Sequence, residues 1–331
     1  MQKILVIQTA FIGDVVLATG LVEKLHQQYP EAKIDFLLRR GNEGLLEHHP
    51  FLHEVLIWDK QQAKRKNLFR LLRRIRATRY DAVINVQRYF ATGLLTAFSG
   101  ARQRIGFSKN PLSWLFTRRL SHRIDPATGI HEIERNHQLI RHLTDEEPGR
   151  PRLYPSAQEQ EQVRHLKYRA YVVVAPASVW FTKRYPAQKW VELIRALPSH
   201  LQIYLTGGPG DEALCDEILG QCRGRSIMNL CGQYNFLQSV AIQQDAVMNY
   251  VNDSAPLHFA SAVNAPVTAV FCSTIPGFGF GPLSDKSFVV ETQLPLSCRP
   301  CSLHGKKACP RQHFNCANQI TTSQLLDTLN R

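Results

Sequence analysis

A chain of 331 residues is longer than one ordinary compact domain and gives two domains ample core. Its 44% hydrophobic and 20% charged residues exclude a disordered or fibrous chain, and no run reaches the roughly 18 apolar residues of a membrane-crossing helix. The formal net charge of +13 is the outlying value and points to an anionic partner, whether nucleic acid, phosphorylated sugar or anionic membrane surface.

The opening KILVIQ reads as a strand, with no basic stretch or cleavage site before it, so a cytosolic protein is expected. The strand runs into QTAFIGDVVLATG, which sets Gly13 and Asp14 at its C-terminal end. From Asp14 to Tyr29, the residues Val15, Ala18, Leu21, Val22 and Leu25 recur at helical spacing. KIDFLLR, EVLIWD and DAVINVQ are the next strands. The helix ending at Thr78 sets Leu68, Leu71, Leu72 and Ile75 among lysines and arginines, so it packs on a sheet and turns a basic face to solvent or anionic lipid.

Residues 145–158 are rich in proline and charge, as a linker should be. Beyond them YVVVAP, QIYLTGG, AVMNYVND and PVTAVFCST read as strands. Helices are expected at Pro186–Leu197, Asp211–Leu219 and Pro256–Val263. Strand and helix alternating through both halves predict an α/β protein with two Rossmann-like parallel-sheet domains, whose ligands lie at the C-terminal ends of the strands. The expected division is 1–155, 156–318 and a terminal helix within 319–331. No internal repeat is visible.

Four loops fall at those strand ends. TAFIGDV carries Gly13 and Asp14. APASVWFTKRYP offers Ser178, Thr182 and Lys183 as donors to phosphate oxygens. TGGPGDE places Gly207 and Gly208 in a turn before Asp211 and Glu212, carboxylates suited to ribose hydroxyls. NDSAPLHFASA starts a helix capped by Asp253 or Ser254, with Pro256 in its first turn, and the free N–H groups of such a start bind anions. Together they describe a nucleoside diphosphate site in the second domain. A dinucleotide-binding dehydrogenase would need G-x-G-x-x-G after the first strand, but this chain has Gly13 and Gly20 there, and no P-loop is present.

In this order and spacing the loops resemble those of the bacterial ADP-heptose:lipopolysaccharide heptosyltransferases, glycosyltransferase family 9. The resemblance rests on Gly13-Asp14, on Lys183-Arg184-Tyr185-Pro186, and on the helix start Asp253-Ser254-Ala255-Pro256-Leu257-His258-Phe259-Ala260, and it covers nearly the whole chain. It implies a GT-B architecture, two Rossmann-like domains facing across a cleft, with the final helix crossing back to the N-terminal domain. The activity it implies is inverting transfer of a heptose or related sugar from an ADP-sugar to a lipopolysaccharide core or other lipid-linked glycan, without a catalytic metal or cofactor. Under the resemblance Asp14 is the general base, Lys183 and Ser178 contact the diphosphate, Ser254 and Ala255 supply backbone N–H groups, and Asp211 or Glu212 takes the ribose. Lys183 also has a catalytic part, answering charge on the departing diphosphate. Gly13, Thr182, Gly207, Gly208, Asp253 and His258 complete the expected donor site, with helix packing an equal reading for His258. Gln87, Arg88, Arg104 and Arg135 are the expected acceptor residues. Ala255 stands where the family often has glycine, and Asn85 where it is often acidic. The family places the enzyme in the cytoplasm, on the inner face of the inner membrane; nucleic acid is not expected as a partner, since no aromatic platform or known binding motif goes with the charge.

Cys298, Cys301, Cys309 and Cys316 lie within CRPCSLHGKKACPRQHFNC. In a reducing compartment this spacing allows a structural zinc, with His304 or His313 as substitute ligands, or reduced thiols that organise a loop. Two other functions stay open beside the transferase: a non-catalytic nucleotide or polyanion binder at the membrane surface, and a zinc-dependent interaction module.

Overall fold

The computed structural model describes residues 1–331 and divides into two compact units, one of Met1–Ile124 with Ile130–Tyr154, the other of Asp125–Gly129 with Pro155–Arg331. Each unit is built on a six-stranded sheet in which every neighbouring pair runs parallel.

In the first unit the strands are β1 (Lys3–Ile7), β2 (Lys33–Arg39), β3 (Leu52–Trp58), β4 (Ala82–Asn85), β5 (Gln103–Phe107) and β6 (Arg118–Leu120), in the order β3-β2-β1-β4-β5-β6. Helices α1 (Ile12–Gln28), α2 (Lys64–Thr78), α3 (Phe90–Ala97) and α4 (Glu132–His137) cover it. β1 is an unbroken aliphatic run because parallel strands are covered on both faces; Ile4, Leu5, Val6 and Ile7 are all fully buried. α1 presses Val15, Leu21, Val22 and Leu25 into the core. α2 buries only Leu71 and Ile75, the thin stripe that its spacing predicted.

The second unit has β7 (Tyr171–Ala175), β8 (Gln202–Leu205), β9 (Ile227–Asn229), β10 (Met248–Asn252), β11 (Val267–Phe271) and β12 (Ser287–Glu291), ordered β9-β8-β7-β10-β11-β12. Its helices are α5 (Ala157–Val163), α6 (Ala187–Ala196), α7 (Glu212–Gln221), α8 (Phe236–Gln244), α9 (Ala255–Ala262), α10 (Asn315–Asn318) and α11 (Thr322–Leu329). Counted from its own first strand, this order is the same as that of the first sheet. The chain repeats a topology without repeating a sequence. In both sheets the order reverses beside the first strand, at β1/β4 and at β7/β10, and such a switch point is where an open α/β sheet takes its ligand.

Two expectations are corrected. The final helix does not cross back: α11 buries Leu325 in the core of the second unit, where Leu325 O accepts the Tyr250 hydroxyl at 3.4 Å and Thr328 meets Thr268 at 2.6 Å. Its apolar face matches the surface left open beside α6 and β12, so it completes the unit it follows. The stretch expected as linker is also ordered against α1. Arg152 N donates to Thr19 Oγ1 at 2.9 Å, the Tyr154 hydroxyl donates to Glu23, and Lys24 pairs with Asp145 at 2.8 Å. Gly20 and Gly149 make this possible, since a Cβ on either would come within 2.3 Å of the other's carbonyl oxygen.

Candidate active site

At the switch point of the first sheet, the backbone after β1 has to turn sharply from strand to helix. Phe11 is the N-cap of α1, and the helix starts at Ile12, two residues earlier than the apolar spacing suggested. Asp14 is therefore the third helical residue, and its Oδ2 accepts the Phe11 N–H at 3.2 Å. The carboxylate closes the first turn where the helix dipole favours negative charge.

Buried amides hold this loop. Gln8 Oε1 accepts from Ala10 N at 3.2 Å and from Gln87 Nε2, Asn42 Nδ2 donates to Ala10 O at 3.2 Å, and Asn85 Oδ1 accepts from Gln87 N at 2.8 Å. Lys60, from the loop after β3, donates to Thr9 O at 2.7 Å and to Thr9 Oγ1 at 3.0 Å. Burial, followed by the charges of Arg39 and Lys64, pulls the Lys60 ammonium down to about 8. Arg39 lies 5.0 Å over the exposed ring of Phe11.

Of the expected acceptor residues, Gln87 and Arg88 follow β4 and stand at this strand end, Gln87 buried and Arg88 exposed. Arg104 and Arg135 do not. Arg104 lies near the start of β5 and donates to Ala101 O at 2.8 Å and Leu115 O at 3.3 Å. Arg135 is 2% exposed and paired with Glu132 at 2.7 Å. Both guanidiniums are engaged in packing, because partly or fully buried cations need partners. Burial pushes the Glu132 carboxyl up, but His122 and Arg135 outweigh it and hold it below its ordinary value.

In the second unit the loops after β7 and β10 meet. Asn252 Nδ2 donates to Pro176 O at 2.7 Å, and Tyr185 N donates to Asn252 Oδ1 at 2.9 Å. This lock brings Lys183 against the start of α9, where its Nζ pairs with Asp253 Oδ2 at 2.7 Å. Thr274 donates to the same oxygen at 2.6 Å, and the two charged side chains are only 16% and 7% exposed. Ser254 is the N-cap of α9 without a capping side-chain bond; Pro256 has no N–H and Leu257 N donates to Ser254 O at 3.1 Å, so the amides this start can offer a ligand are those of Ser254 and Ala255. Ser178 sits beside them, largely buried, with its carbonyl accepting from Arg184 Nε at 2.6 Å. His258 is buried one turn into α9.

Asp211 is occupied by its own turn, accepting Gly208 N at 2.9 Å, and a Cβ on Gly207 would lie 2.9 Å from that of Asp211. Glu212, first residue of α7, is exposed. Thr182 departs from expectation. Its hydroxyl is turned inward, 1% exposed, where Oγ1 accepts from Lys306 N at 2.8 Å and from Ser273 Oγ at 2.9 Å.

The cysteine segment is the source of that contact. No three His, Cys, Asp or Glu side chains gather as a ligand set. Cys316 is buried on α10, Cys301 Sγ donates to Cys298 O at 3.3 Å, and Cys298 Sγ lies 3.9 Å from His313 Nε2. Backbone and guanidinium bonds organise the segment instead. Cys301 N donates to Ser273 O at 3.0 Å, and Arg299 donates to Cys272 O at 2.8 Å, Thr274 O at 2.8 Å and Phe271 O at 3.2 Å. The segment clasps the end of β11 and the Lys183 loop. Sequence reasoning missed Lys60, Gln8, Asn252, Thr274 and Arg299, since a lone polar residue beyond a strand carries no motif.

A hollow of about 500 Å³ lined by Glu47, His49, His53 and Ile57 lies along β3 and includes the start of that strand, away from the switch point.

The model of glycosyltransferase family 9 (heptosyltransferase) matches residues 68–310. Lipopolysaccharide heptosyltransferase 3 of Escherichia coli K12 is 31% identical over 276 residues, covering 79% of this chain and 80% of its own. Among solved structures, the E. coli ADP-heptose lps heptosyltransferase II superposes with TM-score 0.80 at 24% identity, over 99% of this chain and 98% of that one. The E. coli heptosyltransferase WaaC with ADP gives TM-score 0.76 at 20% identity, over 99% of both. The fold is that of the GT-B heptosyltransferases, and the chain belongs to glycosyltransferase family 9, which makes it a glycosyltransferase of the heptosyltransferase family.

Proposed function

We propose that this enzyme moves a heptose from an ADP-linked donor to the core of a lipopolysaccharide, with inversion and without a catalytic metal. The observation that carries the reading is the Lys183–Asp253–Thr274 cluster beside the uncapped start of α9 at the β7/β10 switch point. A diphosphate placed there takes the amides of Ser254 and Ala255 and shares Lys183 with Asp253, which keeps the ammonium aimed. The donor identity draws on relatives: WaaC is solved with ADP and with ADP-2-deoxy-2-fluoro heptose, and the relative at 31% identity is a lipopolysaccharide heptosyltransferase.

The acceptor hydroxyl loses its proton to Asp14 as its oxygen attacks the anomeric carbon. The bond from that carbon to the diphosphate breaks on the opposite face, which inverts the centre. Charge growing on ADP meets Lys183 and the α9 dipole, fixed groups that need no reorganisation. Glu212 takes the ribose hydroxyls, since Asp211 is committed to its turn. Gln87 and Arg88 face the acceptor. Work on a lipid-anchored acceptor places the enzyme in the cytoplasm at the inner membrane surface. No helix is long and apolar enough to cross a membrane.

The test is a thermal-shift series with ADP, UDP, GDP and CDP, followed by transfer from ADP-heptose to a truncated lipopolysaccharide. Stabilisation by ADP above the others, with transfer, is expected. Preference for another base, or ADP binding with no transfer, would overturn the reading.

A further inference from the structure

We infer that the outer face of α2, with the end of α3, is the surface on which this chain rests on an anionic lipid bilayer. The inference rests on the reading that the acceptor is lipid-anchored, and it names where the membrane touches.

α2 spans fifteen residues with the sequence KRKNLFRLLRRIRAT, which holds seven lysines and arginines and no acid. Leu71 and Ile75 are buried and Leu68 and Leu72 partly so, all turned to the core of the first unit. The apolar side of the helix is thereby used up. Phe69 nevertheless stands on the other side, 56% exposed. Residues three and four apart share a helix face, so Arg65, Lys66 and Arg73 surround its ring. A second ring joins them. Arg76 Nη1 donates to Phe98 O at 3.1 Å, which brings the 47% exposed Phe98 to the C-terminal end of the same helix.

Among the cations of α2, Arg74 meets a carboxylate, that of Glu54 on β3, while Lys64, Arg65, Lys66, Arg70 and Arg73 are exposed with no ion pair. A single exposed ring is ordinary on a soluble protein. Two phenylalanines set among unanswered cations on a convex, acid-free face match an interfacial surface: the rings enter the headgroup boundary and the cations meet anionic phosphates. Single-stranded nucleic acid also uses cations with aromatic rings, but it lies in a groove that tracks its backbone, and these rings stand on a helix that bulges outward from the sheet.

The experiment is co-sedimentation of the full chain with vesicles of phosphatidylcholine alone or mixed with phosphatidylglycerol. Binding to the mixed vesicles, weakened by salt, is expected. Each cation near the surface contributes about fivefold in partitioning, so Arg65→Gln with Lys66→Gln, Arg70→Gln and Arg73→Gln should lower binding by at least 10²-fold. Phe69→Ser should weaken binding further under conditions where salt already screens the charges. Both variants should keep the wild-type thermal shift with ADP and the wild-type transfer rate to a delipidated acceptor, while losing rate on acceptor embedded in vesicles. The inference is overturned if the wild type binds both vesicles equally, if the fourfold variant binds as wild type, or if an oligonucleotide engages this face at physiological salt and vesicles do not. Vesicle binding through α2 without heptose transfer would sink the proposed activity and leave this surface standing; transfer without vesicle binding would do the reverse.

Discussion

Asp14 has two jobs in the proposed reaction, and substitution separates them. As a cap it accepts the Phe11 N–H at 3.2 Å, and as a base it takes a proton from the acceptor. Asp14→Asn keeps an oxygen for the cap and removes the base, whereas Asp14→Ala removes both. Losing one such hydrogen bond costs about 0.5–1.5 kcal/mol, and for this one about 1 kcal/mol is taken. In a unit of this size that is a fall of about 2–4 °C in Tm for the alanine variant and little change for asparagine. Removing a general base costs about 10²–10⁴ in rate, or roughly 3–5 kcal/mol of barrier. Both variants should therefore lose at least 10²-fold in kcat, with the KM for donor and the thermal shift with ADP retained, since the base acts only in the transition state. Steady-state transfer from ADP-heptose and thermal melts of the three proteins decide it. If Asp14→Asn transfers at more than a tenth of the wild-type rate, the carboxylate is a cap and nothing more.

Lys183→Met should weaken ADP binding and also destabilise the second unit by about 3 kcal/mol, because it leaves Asp253 buried and charged with Thr274 as its remaining partner. Adding Asp253→Asn should restore the melting temperature without restoring ADP affinity, which a thermal-shift titration reads directly. Arg299→Ala strips hydrogen bonds from the carbonyls of Phe271, Cys272 and Thr274 and should cost about 3 kcal/mol, a fall of roughly 6–12 °C by differential scanning calorimetry. Lys60 gives a pH signature. Its folded-state pKa of about 8 lies below the ordinary 10.5, so the unfolded chain binds the extra proton between these values, and stability gains from this group as pH rises through that window. Below pH 8 its contribution is flat. The difference in urea midpoint between wild type and Lys60→Met should therefore change between pH 8 and 10.5 and stay constant between 6 and 8; a constant difference throughout would refute the assignment.

Much of the first sheet was legible because β1, β2 and β4 are aliphatic runs with helical spacing between them, and burial on both faces demands that composition. β6 (RRL) and β9 (IMN) were not, since a three-residue edge strand carries no periodicity and is held by pairing with its one neighbour. α8 did leave a signal: Asn235 caps it and Gln238 returns the bond, a capping box ahead of an apolar run that the sequence displays. Lys183 and Asp253 were legible as motif residues. Thr182 misled because a hydroxyl next to a phosphate-facing lysine looks like a second donor, and only the tail segment returning from residue 298 shows that it is clasped from behind. Arg104 and Arg135 misled for another reason: they were expected at the acceptor with no motif to tie them there, and their guanidiniums are consumed by carbonyls and a carboxylate.

The repeated topology explains why the chemistry divides as it does. Both sheets reverse their order beside the first strand, so each unit offers one place where two loops separate and leave a crevice at the strand ends. What differs is the group that the proposed reaction uses there. At β1/β4 the loop opens a helix whose third residue is a carboxylate, and buried amides together with Lys60 hold that loop in place. At β7/β10 the loops bring a lysine to the start of a helix, with one buried carboxylate to hold the lysine in place. Transfer of a sugar from a diphosphate needs a negative group for the incoming hydroxyl and positive ones for the departing phosphate. In the proposed reaction each half of the chemistry therefore belongs to the loops at one switch point, and the sheets serve to hold those loops.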